Sequence, residues 1–305
     1  MTATVLDLIG NTPLVELRRC WSGPGRILAK AEFMQPGGSV KDRAAKAILQ
    51  AARSDGRLSP GMPVVEMTSG NMGAGLAVVC AALGHPFVAT MSAGNSPARA
   101  RMMEGLGAEV VLVPQVDGCP GQVTGADIAA AAEAAVRIAR DRGGFLVDQF
   151  NAPEGVAAHK ETGREIARQA GHVDAWVASV GTGCTFIGVA RALKAIDAQT
   201  LCAAIEPVGS EPLAGGDLSK PRHLLQGTGY GVAPPQWDPD LMDLGLSVTD
   251  EEAEAWKHRL GADEGLYVGY SAAANVCAAA KLLGSGRLEA GATVATVLCD
   301  TGLKY

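Results

Sequence analysis

Apolar and polar positions along this chain follow two alternating rhythms. Short runs rich in β-branched and aliphatic residues read as strands: Pro13–Leu17, Ile27–Glu32, Val64–Met67, Phe87–Met91, Glu109–Val113, Phe145–Gln149, Ala175–Val180, Cys202–Glu206 and Thr293–Cys299. Longer stretches of small and apolar residues at helical spacing lie between them: Lys41–Arg53, Gly73–Leu83, Ala98–Leu106, Ala126–Arg140, Gly155–Ala170, Phe186–Lys194 and Ala272–Leu283. This alternation predicts α/β units on mostly parallel sheets. Gly84, Gly107 and Gly171 follow helical runs, where a left-handed residue ends a helix. Thr249 with Glu252 is a capping-box pair opening a further helix near Trp256. Pro114–Gly125 and Ser210–Gln236 are Gly/Pro-rich and irregular, and long loops in compact α/β domains are often functional.

Composition sharpens this picture. Glycine accounts for 39 of 305 residues, about 13%, against ~7% in an average protein. No repeat runs through the excess, and 48% of the chain is hydrophobic, which excludes collagen-like and disordered readings. Aromatics contribute 4%, so the core is built from Ala, Val, Leu and Ile. The net charge is −6, with no basic tail or Lys/Arg cluster, so nucleic acid is not the expected partner. MTATVLDLIG lacks the basic-then-apolar pattern of a secretory leader. Gly or charge interrupts every apolar stretch short of a membrane span. Seven cysteines without a CxxC read as buried free thiols in a reducing cytoplasm; no metal-ligand spacing is present.

Four times the chain runs through a Gly/Ser/Thr/Asn-rich turn into a helix: Pro36–Arg43 (PGGSVKDR), Thr68–Gly75 (TSGNMGAG), Gly181–Gly188 (GTGCTFIG) and Gly269–Asn275 (GYSAAAN). A strand–turn–helix junction presents backbone N–H groups and the positive end of the helix dipole, which suits an anion. Thr68, Ser69, Thr182 and Thr185 add hydroxyl donors. Taken singly, each turn reads equally as a helix cap. Together they suggest a ligand system with two anionic groups, such as a phosphate and a carboxylate. Neither GxGxxG nor GxxxxGK[ST] occurs, which disfavours dinucleotides and nucleoside triphosphates. Ser39 has the character of an N-cap, placing Lys41 in the first helical turn. A cation there opposes the dipole. Lys41 is therefore either a solvated side chain in an awkward position or a nucleophilic amine of the kind that forms Schiff bases.

In order and spacing, Ile9–Leu17 (IGNTPLVEL), PGGSVKDR, TSGNMG, GTGCT, EGLYVGYSAAAN and Cys299–Tyr305 (CDTGLKY) resemble the cysteine synthase/cystathionine β-synthase family of pyridoxal-phosphate enzymes. The resemblance spans nearly the whole chain. It implies the tryptophan-synthase-β fold (fold type II): α/β, with two open twisted, mostly parallel sheets flanked by helices. Residues 1–37 and 144–305 would form a larger cofactor-binding domain, and 38–143 a smaller one closing on substrate.

The resemblance also implies roles. The cofactor is pyridoxal 5′-phosphate. Lys41 looks like the lysine of the internal aldimine and the general base. Asn71 resembles the residue bonding the cofactor's 3′-oxygen. Gly181, Thr182, Gly183, Cys184 and Thr185 resemble the loop around its 5′-phosphate, and Ser271 the serine facing the pyridine nitrogen. Thr68, Ser69, Asn71, Met72 and Gln149 match the loop and glutamine that bind the substrate α-carboxylate. Gly227 and Tyr230 lie in a stretch, Gly227–Trp237, that resembles the Gly-rich loop over the active site. Several positions depart from the family pattern: Met72 replaces a common Thr, Cys184 a Gly, Ser271-Ala272-Ala273 a Ser-Ser-Gly, and Gln35 an Asn.

The implied reaction is β-replacement on a β-activated L-amino acid, such as O-acetylserine, phosphoserine or cysteine. It would run through an α-aminoacrylate to which a small nucleophile adds. Two alternatives stand beside it: β-elimination, as in a dehydratase or desulfhydrase, and a non-catalytic relative that binds an amino acid or partner. A cytoplasmic homodimer is the expectation carried by the family.

Overall fold

The computed structural model describes residues 2–216, 218–220 and 222–305. Asp217 and Pro221, within the irregular stretch Ser210–Gln236, lie outside the described residues, as does Met1 of the N-terminal segment. In chain order the elements are β1 (Leu14–Leu17), β2 (Arg26–Lys30), α1 (Lys41–Ser54), β3 (Val64–Met67), α2 (Asn71–Leu83), β4 (Phe87–Ser92), α3 (Pro97–Gly105), β5 (Glu109–Val113) and α4 (Gly125–Asp141). They continue with β6 (Phe145–Leu146), α5 (Pro153–Ala170), β7 (Ala175–Ser179), α6 (Cys184–Ile196), β8 (Leu201–Pro207), β9 (Leu244–Val248), α7 (Asp250–Glu264), α8 (Tyr270–Gly284) and β10 (Thr293–Val297).

The chain divides into two compact units. The first takes the residues up to Gly10 and Gln35–Gly155; the second takes Asn11–Met34 and Val156–Tyr305. Their bounds differ from the expected 38–143 and its complement for a packing reason. Leu6 and Ile9 join the apolar cluster of Ile48, Leu49 and Leu76, and Lys46 Nζ donates to the Leu6 carbonyl at 2.8 Å. At the other end, β6 pairs with β3 and so belongs to the first unit's sheet.

The first unit holds a four-stranded sheet in the order β5-β4-β3-β6, parallel throughout. β4 is buried at all six positions, the continuous apolar signature of a parallel strand covered on both faces. One face of β3 packs with α1 and α2: Val64 joins Ala45, Ile48, Met72 and Leu76. On the other face Val65 meets Ala135 and Ala139 of α4. Helix α1 buries Ala44, Ala45, Ile48, Leu49 and Ala52, one stripe at helical spacing. Gly84, at φ 74°, ends α2.

The second unit holds a six-stranded sheet in the order β1-β2-β10-β7-β8-β9. Only the β1–β2 pair is antiparallel. Helix α8 is buried along most of its length by Ala272–Ala274 and Ala278–Ala280; small side chains let it lie close on the sheet. The β10–β7 register is recorded only at Val294↔Ala175 and Ala295↔Trp176. Further along, Asn275 of α8 bridges the strands: its Oδ1 accepts from Ser179 N at 2.8 Å and its Nδ2 donates to Val297 O at 2.8 Å. A side chain thus satisfies backbone groups beyond that register.

Four expectations need correction. β9 was not predicted; its sequence, LGLSV, is only partly buried along most of its length and lacks a strong period-two signal. β6 stops at Leu146 because the chain turns at Asp148, whose φ is 51°. β10 stops at Val297, short of Cys299. Val40, not Ser39, occupies the N-cap of α1, although the Ser39 hydroxyl accepts from Lys41 N at 3.3 Å. Three predicted caps are present: the Thr249–Glu252 box, and left-handed Gly107 and Gly171.

Candidate active site

In the first unit, two Gly-containing turns lead to the candidate side chains. Lys41 is the first residue of α1 and is partly exposed. The loop before it is fastened by Asp42, whose carboxylate accepts from Gly37 N. Gly75 of α2 packs on this point: a Cβ there would lie 3.1 Å from Asp42 Cα and 3.2 Å from the Lys41 carbonyl carbon. Glycine at 75 therefore allows α2 to approach the start of α1 closely.

The turn from β3 into α2 carries Thr68 and Ser69, and Asn71 is the first residue of α2. The Thr68 hydroxyl accepts from Gly73 N at 3.1 Å and Gly70 N at 3.4 Å, serving as a cap from outside the helix. Ser69 and Asn71 remain partly exposed. Met72 does not share their surroundings. Its side chain is 3% exposed and belongs to the apolar core with Ile48 and Leu76, so its expected place among the substrate contacts is not where the side chain lies.

Gln149 follows the Asp148 turn, and its Nε2 donates to Glu66 Oε1 at 3.0 Å. Glu66 sits in the middle of β3, 3% exposed. It also accepts from Asp148 N at 2.9 Å and from the Gln149 backbone N–H. Burial raises its carboxyl to about 8, against those hydrogen bonds, which favour the ionised form. Sequence reading missed Glu66, although a carboxylate inside a four-residue apolar strand was a visible signal.

In the second unit, Gly181–Thr185 lies between the end of β7 and the first turn of α6. Gly183 is the N-cap of α6, at φ 85°, a conformation that favours glycine. The i→i−4 ladder is established at Ile187 N to Gly183 O, so the preceding N–H groups at this end have no intrahelical acceptor. No acidic side chain lies in the first turn, and the N-cap residue is a glycine without a side chain to cap it. Gly181 has the Gly227 carbonyl where a Cβ would be, 2.2 Å from that position. A Gly- and Thr-rich loop ending at a helix N-terminus fits a phosphate.

The second unit also places the remaining candidates. The Thr185 hydroxyl is 3.3 Å from His159 Nε2, and His159 Nδ1 is 3.1 Å from the Thr162 hydroxyl. His159 is 1% exposed and was not predicted; nothing but its position on the inner face of α5 marks it in sequence. Cys184 is buried, with Gln236 Nε2 3.9 Å from its Sγ, an environment that suits packing. Ser271 is the second residue of α8, and its hydroxyl donates to Gln226 O at 3.3 Å. Gly227 is left-handed at φ 84°. Tyr230 is 48% exposed, whereas Trp237 packs on Phe186 of α6 with ring centroids 5.5 Å apart.

Of the cysteines, Cys20, Cys80, Cys184, Cys202 and Cys277 are buried as expected, while Cys119 is exposed and Cys299 intermediate. Burial pushes the Cys20, Cys80 and Cys202 thiols up to about 12. Among the described residues, no helix is long and apolar enough to cross a membrane.

Comparison with known proteins identifies the family. A family model described as pyridoxal-phosphate dependent enzyme matches residues 5–300. Two mostly parallel sheets and a loop that fits a phosphate define the class: a pyridoxal-phosphate enzyme of the tryptophan-synthase-β fold type. The chain is 36% identical to a cysteine synthase of Staphylococcus aureus over 308 residues, 99% of this chain and 94% of the relative. Among solved structures, it resembles O-ureido-L-serine synthase at 34% identity and a TM-score of 0.90, covering 100% of this chain and 93% of that one. It resembles O-acetylserine sulfhydrylase isoform 3 of Entamoeba histolytica at 32% identity and a TM-score of 0.91, covering 100% and 90%. The chain belongs to the pyridoxal-phosphate dependent enzyme family, in its cysteine synthase branch, and is an enzyme acting on amino acids.

Proposed function

We propose that this enzyme catalyses β-replacement on O-acetyl-L-serine, with sulfide as the nucleophile and L-cysteine as the product. The observation that carries the reading is near-full-length similarity to a cysteine synthase. The solved sulfhydrylase at comparable identity supports the same donor.

In this reading the chain's residues divide the work. The Lys41 amine would hold the cofactor and, when free, would move the Cα proton as general base. Gly181, Thr182, Gly183, Cys184 and Thr185 hold the 5′-phosphate through backbone N–H groups and hydroxyls. Ser271 offers a hydroxyl to the pyridine nitrogen, and Asn71 a hydrogen bond to the 3′-oxygen. Thr68, Ser69, Asn71 and Gln149 hold the substrate α-carboxylate, which orients the Cα–H bond for removal. Gly227 and Tyr230 border the substrate. When bound, pyridoxal phosphate supplies the electron sink that makes the Cα proton removable. The enzyme works as a homodimer in the cytoplasm.

The test incubates cofactor-loaded protein with O-acetyl-L-serine, with and without excess sulfide. Cysteine formation that depends on both is expected. Pyruvate released at the same rate despite excess sulfide would overturn replacement in favour of elimination. Sedimentation at the mass of one chain would overturn the dimer.

A further inference from the structure

Glu66 is buried in the first unit without a cationic group bonded to its carboxyl. Its hydrogen bonds all come from one short turn: Asp148 N at 2.9 Å, Gln149 Nε2 at 3.0 Å and the Gln149 backbone N–H. That turn is held in an unusual shape, with Asp148 at φ 51°, a conformation uncommon outside glycine. The Asp148 carbonyl accepts from Asn151 N and Ala152 N, both at 3.0 Å, which ties the turn to the segment ahead of α5. A single buried carboxyl group thus organises both the backbone and the side chain of Gln149.

We propose that Glu66 is a positioning residue for substrate binding: its carboxyl group sets which end of the Gln149 carboxamide is presented to the α-carboxylate of the amino-acid substrate. This rests on the reading that Gln149 binds that carboxylate. A carboxamide has a donor end and an acceptor end. An ionised Glu66 only accepts, so it draws Nε2 toward itself and turns the Gln149 carbonyl oxygen away from it, toward an anion. A protonated Glu66 donates its O–H to that carbonyl oxygen instead. Nε2 then turns outward with both N–H groups available to a carboxylate.

The Nε2 contact seen in the structure is the arrangement an ionised Glu66 selects, whereas the surroundings favour the protonated form, and with it the turned carboxamide, at neutral pH. Burial lifts the carboxyl to about 8, and the Asp148 carboxylate adds repulsion. The sheet neighbours β4 and β6 and helix α2 carry no acidic or basic side chain. Helix α4, which packs on the other face of β3, brings the buried Asp127. Helix α1 brings Lys41, Asp42 and Arg43 at its first turn.

The experiment measures the dissociation constant of O-acetyl-L-serine for cofactor-loaded protein without sulfide, at pH 7 and pH 9, for wild type, Glu66→Gln and Gln149→Ala. A glutamine at 66 permanently mimics the protonated carboxyl, with one acceptor for the turn and one donor for Gln149. Titration of the substrate amine affects every protein equally and cancels in the ratios. The ratio of wild-type to Glu66→Gln dissociation constants should rise about tenfold from pH 7 to pH 9, the factor for a group ionising near 8, with the effect in KM rather than kcat. A ratio constant across that range overturns the proposal, as does a wild-type profile parallel to that of Gln149→Ala. If Gln149→Ala binds substrate as wild type does, the underlying reading of Gln149 fails instead. Should Glu66→Gln not fold, the wild-type to Gln149→Ala ratio alone decides: it must change with pH.

Discussion

Gly181→Ala perturbs the phosphate loop by one methyl group. Gly181 lies outside the left-handed region, so alanine meets no backbone strain. Its Cβ would lie 2.2 Å from the Gly227 carbonyl oxygen and 3.3 Å from the Gly227 carbonyl carbon. Both obstacles are backbone, which cannot swing aside as a long side chain can. One of the two segments must shift by about an ångström, a cost of ~1–3 kcal/mol for overpacking. If the loop ahead of α6 moves, its N–H groups lose alignment with the phosphate. A hydrogen bond to a charged group contributes ~1.5–3 kcal/mol, so losing one weakens cofactor binding about 10- to 150-fold. The assay removes the cofactor, titrates pyridoxal phosphate back and follows protein fluorescence. Gly105→Ala is the control, since its Cβ meets nothing within 4 Å and alanine at an unstrained site is slightly stabilising. Gly181→Ala with wild-type affinity and unchanged thermal midpoint would refute the reasoning that this glycine is there for the close approach.

Two further predictions concern buried charge. Lys30 and Glu165 form an ion pair at 2.7 Å with side chains 0% and 4% exposed. Lys30→Met strands the carboxylate and should cost ~3–5 kcal/mol in urea unfolding; a loss below ~1 kcal/mol would contradict this. Glu66 gives a pH prediction with a definite sign. The folded chain keeps the proton up to about 8, while the unfolded chain loses it near the ordinary 4.5. The native state therefore binds more protons in that window, and stability falls as pH rises from about 4.5 to about 8. At roughly 1.4 kcal/mol per pH unit, the full fall approaches ~5 kcal/mol as an upper bound. Thermal melts of Glu66→Gln should lack this decline, and parallel declines in the two proteins would rule the assignment out.

Much of the fold was legible because glycine punctuates it. β3 and β5 match their predicted bounds, and α2 its predicted end at Gly84, since each is a mostly apolar run that ends where the pattern breaks. β9 was not legible: it is a partly buried edge strand whose partner, β8, is supplied by tertiary structure. The Gly181–Thr185 turn into α6 was legible as composition, because bare backbone and hydroxyls announce themselves as Gly and Thr. The partners of Glu66 and His159 were not: Glu66 stands out as a carboxylate in an apolar strand, but no spacing rule links β3 to a turn 82 residues later, and nothing marks His159 as the neighbour of Thr185. Met72 misled because Thr68–Gly75 reads as one continuous turn, whereas residues from Asn71 on are helical and helical geometry turns the Met72 side chain into the core.

The account stands on Lys41 as the covalent anchor of the cofactor. Borohydride reduction of purified protein loaded with pyridoxal phosphate, followed by peptide mass mapping, tests this directly. The label should fall on the peptide containing Lys41, and Lys41→Ala should take up no label and lose turnover. A label on Lys30 or Lys46 instead, or turnover that survives Lys41→Ala, would contradict the account.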